Sequence, residues 1–326
     1  MALSNQELLQ KAQLTTSAFQ APTPGMTLAP LTIEQVDEFI RLAITPQVLL
    51  PEVRNVRSDS VKWQESKIDF ATRIMRPGFE GVRLGLSDRA APTTGIVEIS
   101  TTLIRGEVPV SDEVMEDQVE RAGFADTLMA LIAEAVGRDV EELMINGDLT
   151  SGDSYLALFD GWLKRCRTMQ GAHVYDAAAS GIGQDYQVAF QAMINNLPDK
   201  YKRDLTQWRF YVPRRLEERY RDTLSRRGTP MGDLMLAGNG ELTYQTVPIR
   251  GVPLFPITTT GTTDTSNILL CHPRNLYAGW HRSIKMEKWR DPREGLTSFV
   301  ISSRIDAEVG NVLATVCAVN VDVTIS

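Results

Sequence analysis

The chain has 326 residues, of which 43% are hydrophobic and 23% charged, so it is a folded globular protein long enough for two core-bearing domains and not a disordered one. Its formal net charge of −7 excludes a sequence-independent nucleic-acid binder, which needs a basic surface to displace phosphate counterions. Cys166, Cys271 and Cys317 are odd in number and far apart, which implies core thiols and neither a disulfide framework nor a metal cluster, and no apolar run is long enough to cross a bilayer.

Near the N-terminus, Glu7 and several polar residues stand where a signal peptide would need an apolar core, so the expected site of folding is the cytoplasm. Asn5 to Leu14 can form a short amphipathic helix, after which Ala21-Pro22-Thr23-Pro24-Gly25 and Pro30 hold the backbone extended. This segment is either a frayed terminus or an arm laid on a neighbouring subunit, since ordering it alone costs ~1–2 kcal/mol per residue. Thr32 and Gln35 make a capping box, with Leu31 and Val36 as its staple, for a helix that Pro46 and Pro51 close. Val61 through Arg105 then reads as two long strands joined by a glycine-rich tip from Pro77 to Leu86. The second strand alternates Ile96, Glu98, Ser100 and Thr102 against Val97, Ile99, Thr101 and Leu103. Such a hairpin looks too polar to own a core, and a second copy of the protein is expected to cover it. Gly78, Gly81 and Gly85 do not have phosphate-loop spacing. Arg73, Arg76, Arg83 and Arg89 make a solvated face or a contact for phosphate or an acidic partner.

The strongest helix signal runs from Ser111 to Asn146, a proline-free stretch about 50 Å long at ~1.5 Å per residue, with Gly123 as the place for a kink. Leu128, Leu131, Ile132, Ala135, Val136, Val140, Leu143 and Met144 draw one apolar stripe along it, and Asn146-Gly147 supplies the stop. Asp148 and Asp153 follow in a turn-rich connection without calcium-loop spacing. A helix from Gln184 to Leu197, a strand from Trp208 to Val212 and a helix from Arg214 to Arg227 suggest an α/β domain inserted into the spine domain. The arginines of the last helix are interleaved with Glu217, Glu218 and Asp222, so pairs within the helix neutralise them. Strands return at Ile268 to Cys271, Leu276 to Trp280 and Phe299 to Ala318, folding back beside the spine. No metal-ligand spacing joins His173, His272 and His281, and no nucleophile-elbow serine occurs. The acid pairs Glu141–Glu142 and Asp306–Glu308 are expected to be solvated, so catalysis is not expected.

The polar two-stranded loop, Ile104-Arg105-Gly106-Glu107-Val108-Pro109-Val110-Ser111, the helix ending Glu141-Glu142-Leu143-Met144-Ile145-Asn146-Gly147-Asp148, the segment Ile249-Arg250-Gly251-Val252-Pro253-Leu254 and Ser303-Arg304-Ile305-Asp306 occur in an order that resembles the major capsid proteins of tailed bacteriophages. The resemblance covers nearly the whole chain and implies the α+β Hong Kong 97-type capsid fold, which encapsulin nanocompartments share. It implies an N-arm at 1–31, a first peripheral-domain segment at 32–55 and an E-loop at 56–103. A peripheral domain with the spine helix would follow at 104–179, an axial domain at 180–265 and return strands at 266–326. Arg76, Gly78, Phe79, Arg83, Ile96, Val97, Ile99 and Leu103 would be the E-loop's intersubunit contacts, and Leu128, Leu131, Ile132, Val136, Val140 and Leu143 the spine's core face. The expected function is self-assembly through pentamers and hexamers into an icosahedral head around double-stranded DNA. Partners would be copies of the chain, a separate scaffold protein, a portal protein, a cement protein and non-specifically held DNA, with no cofactor, metal or membrane. The alternatives are an encapsulin-like cargo shell and, more remotely, a soluble enzyme. Some relatives join an E-loop lysine covalently to an asparagine of the next subunit. Lys62, Lys67 and Asn311 are the residues available here, and the expectation is a non-covalent shell in the virion.

Overall fold

The computed structural model describes residues 47–324 apart from 71–72, 76, 78–79, 82, 84, 86–88, 112–123, 180–184, 227–241 and 262. The expected N-arm, the Thr32 helix and the first turns of the expected spine lie outside the described residues, as do Arg76, Gly78 and Phe79. In chain order the elements begin with β1 (Arg54–Arg57), β2 (Lys62–Asp69), β3 (Thr93–Ser100), β4 (Thr102–Ser111) and α1 (Phe124–Asn146). Next come α2 (Trp162–Thr168), β5 (His173–Asp176), α3 (Tyr186–Asn196), β6 (Arg209–Pro213), α4 (Arg214–Ser225), β7 (Thr243–Tyr244) and β8 (Val247–Val252). The chain finishes with β9 (Ile257–Thr260), β10 (Thr263–Cys271), β11 (Leu276–Asp291), β12 (Leu296–Val309) and β13 (Thr315–Asp322).

Helix α1 is the spine expected from the 3.6-residue stripe. Its C-terminal half buries Ile132, Val140, Leu143 and Met144, while Val136 packs against the same core from a half-buried position and Leu128 and Leu131 are half-buried. The helix stops at Gly147, whose N–H donates to the Leu143 carbonyl at 2.9 Å. A Cβ at Gly147 would meet the Phe159 carbonyl at 2.4 Å, and Gly161 N–H donates to Gly147 O at 2.8 Å, so this close backbone crossing requires glycine.

Seven strands form one sheet in the order β5-β13-β10-β6-β8-β7, with β9 pairing β10. Alternate residues of its central strands enter two different cores. Tyr211, Leu269, Cys271, Cys317 and Val319 join Leu143, Met144 and Trp162 from α1 and α2. Phe210, Val212, Ile268, Leu270, Val316 and Ala318 join Phe190, Met193, Leu216 and Tyr220 from α3 and α4. A sheet buried on both faces reads in sequence as continuous apolar runs, which describes these strands. The strands of the middle segment do not pair among themselves alone: β6 and β8 share a sheet with β10 and β13 of the C-terminal segment, and residue 265, the expected end of the axial domain, falls inside β10. The intrahelical pairs expected in α4 are present as Arg214–Glu217, Arg214–Glu218, Arg221–Glu217 and Arg226–Asp222.

A second sheet has the order β1-β11-β12-β4, and β2 with β3 makes a separate two-stranded ribbon. The described chain divides into two compact units. The smaller takes the described residues of Gly106–Ala130 and Met286–Ile301, and buries Val110, Phe299 and Ile301. The larger takes those of Leu42–Arg105, Leu131–Lys285 and Ser302–Ser326, and holds both cores of the seven-stranded sheet.

Candidate assembly surface

Strands β2 and β3 pair antiparallel from Lys62↔Ser100 to Asp69↔Thr93, so residues directly opposite share a face. One face carries Trp63, Glu65 and Lys67 with Val97 and Ile99; the other carries Gln64, Ser66 and Ile68 with Thr94, Ile96 and Glu98. The first face is seated on the chain's own body. Val97 and Ile99 are 5% and 0% exposed and form a small core with Tyr277, against which Val56 and Trp63 pack. Gly279 makes the seat flat, because a Cβ there would meet Ile99 Cγ2 at 2.4 Å and Trp63 Cη2 at 3.2 Å. The expectation that a second copy buries Val97 and Ile99 is thereby overturned: their own chain already covers them. The hairpin does own a core, built with a residue far away in sequence.

The other face is open. Ile96 is 65% exposed, Ile68 on the partner strand 71%, and beyond the ribbon Ile74 and Met75 are exposed, Met75 at 82%. Phe70 is exposed as well. Ile68 and Ile96 share this face, and exposed apolar side chains gathered on one face mark an interaction surface. Arg83 is exposed and Leu103 half-buried. The sequence reading named Ile96 but missed Ile68, Ile74 and Met75, whose apolar character in a Lys/Gln/Ser-rich strand and tip was the available signal.

Polar groups complete the seat. Ser100 N–H donates to Asp306 Oδ2 at 2.7 Å, and Arg165 of α2 reaches Glu308 Oε2 at 2.6 Å and Asp306 Oδ1 at 3.6 Å. Asp306 and Glu308 are buried, not solvated as expected, and burial pushes both carboxyls above the usual carboxylate range. Arg54 pairs with Glu65, donates to the Tyr277 hydroxyl at 3.0 Å and lies 4.9 Å from the centre of that ring. Glu141 is also buried, its carboxylate accepting the N–H groups of Val48, Leu49 and Leu50. Burial raises its pKa while those three donors lower it.

A cavity of about 630 Å³ beside the end of α1 is lined by Glu142, Asn146, Asp148, Lys164 and Arg167 among others. Lys164 there is paired with Asp148 and Asp160, and its ammonium, with the hydroxyl and N–H of Thr150, holds Asp148 down at about 2. The three cysteines are buried and free, with burial pushing Cys317 up to about 12, so their thiolates are suppressed. Among the described residues no helix is long and apolar enough to cross a membrane.

An α+β chain with a spine helix, a seated two-stranded ribbon and a seven-stranded sheet has the tailed-phage major capsid fold of Hong Kong 97 type, and solved structures agree. The satellite phage P4 procapsid including size determination (Sid) protein is similar at a TM-score of 0.65 and 14% identity, over 97% of this chain and 98% of that one. A chain of the native GTA particle capsid is similar at a TM-score of 0.58 and 14% identity, over 98% and 99%. The SrpI encapsulin complex from Synechococcus elongatus PCC 7942 is similar at a TM-score of 0.55 and 14% identity, over 100% and 98%. In sequence the chain is 32% identical over 309 residues to YqbE of Bacillus subtilis (strain 168), named as a prophage capsid protein, which spans 94% of this chain and 95% of that one. The chain belongs to this family of prophage capsid proteins. No protein-family model matches it.

Proposed function

We propose that this chain is the major capsid protein of a tailed phage or prophage, assembling through pentamers and hexamers into an icosahedral head around double-stranded DNA. The observation that carries this reading is the kinship with a prophage capsid protein along 94% of the chain. The open face of the β2–β3 ribbon supports it, offering Ile68 and Ile96 to a neighbouring copy. In this reading 56–103 is the E-loop, 1–31 the N-arm, and 180–265 contributes the axial domain whose loops meet at the ring centres. At ~25 cal/mol per Å² of apolar surface removed from water, many modest contacts repeated by symmetry close a shell without catalysis. Assembly takes place in the host cytoplasm, with separate scaffold, portal and cement proteins.

Negative-stain microscopy of the expressed full chain tests the proposal. Closed shells or tubes are expected. A monomer or dimer with a saturable small-molecule site would overturn it. Small uniform particles filled with one enzyme bearing a terminal targeting peptide would replace it with an encapsulin-like compartment.

A further inference from the structure

We propose that Asp306 and Glu308 form a proton-linked clamp that sets how firmly the β2–β3 ribbon is seated on the body of its own subunit. The inference concerns the subunit itself and stands whatever the particle proves to be.

The alternation of β12 is the starting point: Ile305, Ala307 and Val309 enter the apolar core, while the intervening Asp306 and Glu308 are buried without joining it. Both acids are therefore held away from water by the chain packed over them. Asp306 accepts from Ser100 N–H, the last residue of β3, and so ties the ribbon's base directly to β12. Each acid also accepts from the next backbone N–H, Ala307 at 2.8 Å and Val309 at 3.0 Å. The facing charges can be named element by element. From α2 comes Arg165, shared by both carboxylates and anchored at its Nε by the Asp160 carbonyl at 2.8 Å. From β2 come Lys67, whose ammonium is attracted by Glu308, and Glu65, which is paired with Arg54. From β12 itself comes Arg304, whose Nε is buried without a hydrogen-bond partner among the described residues. Beside Arg165 in sequence, Cys166 is a buried neutral thiol.

The Arg165 guanidinium thus serves both buried carboxylates, and Glu308 also attracts the ribbon's Lys67. The direction of the linkage follows. Seated, both carboxyls are raised by desolvation; with the ribbon lifted they meet water and return towards ~4. The seated state therefore binds more protons, so its advantage is complete below ordinary carboxylate values and is lost as pH rises through the raised ones. Lys67 is lowered by the same burial, which acts in the opposite direction but only where lysines titrate, in the alkaline range.

The test is hydrogen exchange on the full chain at pH 4 and pH 8, corrected for the intrinsic pH dependence of amide exchange. Protection over Ile96 to Thr101 is expected to fall between the two, with protection over Val140 to Ile145 unchanged. In Asp306→Asn and in Glu308→Gln the fall over the ribbon should shrink or vanish. A wild-type profile that is flat over the ribbon overturns the proposal on its own, even if either variant fails to fold. Variants that fold and keep the full wild-type fall also overturn it.

Discussion

Glu141 shows what a single buried acid does here. Its carboxylate collects three successive backbone N–H groups, and that turn carries Leu49, Leu50 and Val53 into the main core. Removing the acid leaves three donors without an acceptor, each costing ~1–3 kcal/mol when buried. Glu141→Ala is expected to lower unfolding stability by about 3 kcal/mol or more, whereas Glu142→Ala, at a half-exposed position facing the cavity, should stay within ~0.5 kcal/mol. Denaturant midpoints of the two variants decide it, and equal midpoints would refute the latch. Leu143, fully buried one residue further along, sets the apolar counterpart. Leu143→Ala should cost ~2–5 kcal/mol, and thermal unfolding that matches Glu142→Ala would mean the helix face is wrongly assigned.

Among the elements the ribbon has two faces with separate jobs, and each can be altered alone. Gly279 admits Ile99 and Trp63 against β11, so Gly279→Val should lift the ribbon's base while leaving both large cores intact. Protease sensitivity between Val61 and Arg105 is the measurement, and resistance equal to the wild type would show that the seat tolerates a side chain. On the opposite face, Ile68→Asp with Ile96→Asp replaces two exposed side chains and no buried one. The double variant is expected to give a wild-type circular dichroism spectrum and sediment as small oligomers. Normal yields of closed particles would remove the ribbon's outer face from assembly.

For the whole molecule the question is what holds copies together. Lys67 points to the seat, where it faces Glu308 of its own chain. Asn311, the asparagine considered for a covalent link, is occupied internally: its Nδ2 donates to Tyr201 Oη at 2.9 Å and its Oδ1 accepts Leu313 N–H at 3.1 Å. The cysteines are buried and free, which leaves none of them placed for disulfides between subunits. Mature particles boiled in denaturant and reductant should therefore run as one band near 36.3 kDa. A ladder of dimers to hexamers containing a lysine–asparagine peptide would contradict this.

The spine from Leu128 to Asn146, the helix near Tyr186 to Asn196 and the pairing of β2 with β3 were legible in the sequence because each depends on periodicity within one segment. The acids of α4 were readable as partners of its arginines for the same reason, being three or four residues apart. Alternation in β3 divided Ile96 from Val97 and Ile99 correctly, yet could not say which side meets water. That choice is made by Tyr277 and Gly279, close to 180 residues later. Asp306 and Glu308 looked like surface acids because burial is a property of what packs over a strand, and Arg165 and Ser100 arrive from elsewhere in the chain. The single seven-stranded sheet was hidden likewise. An apolar run shows that a strand is buried on both faces, but its neighbours are selected only when distant strands compete to satisfy the same backbone hydrogen bonds.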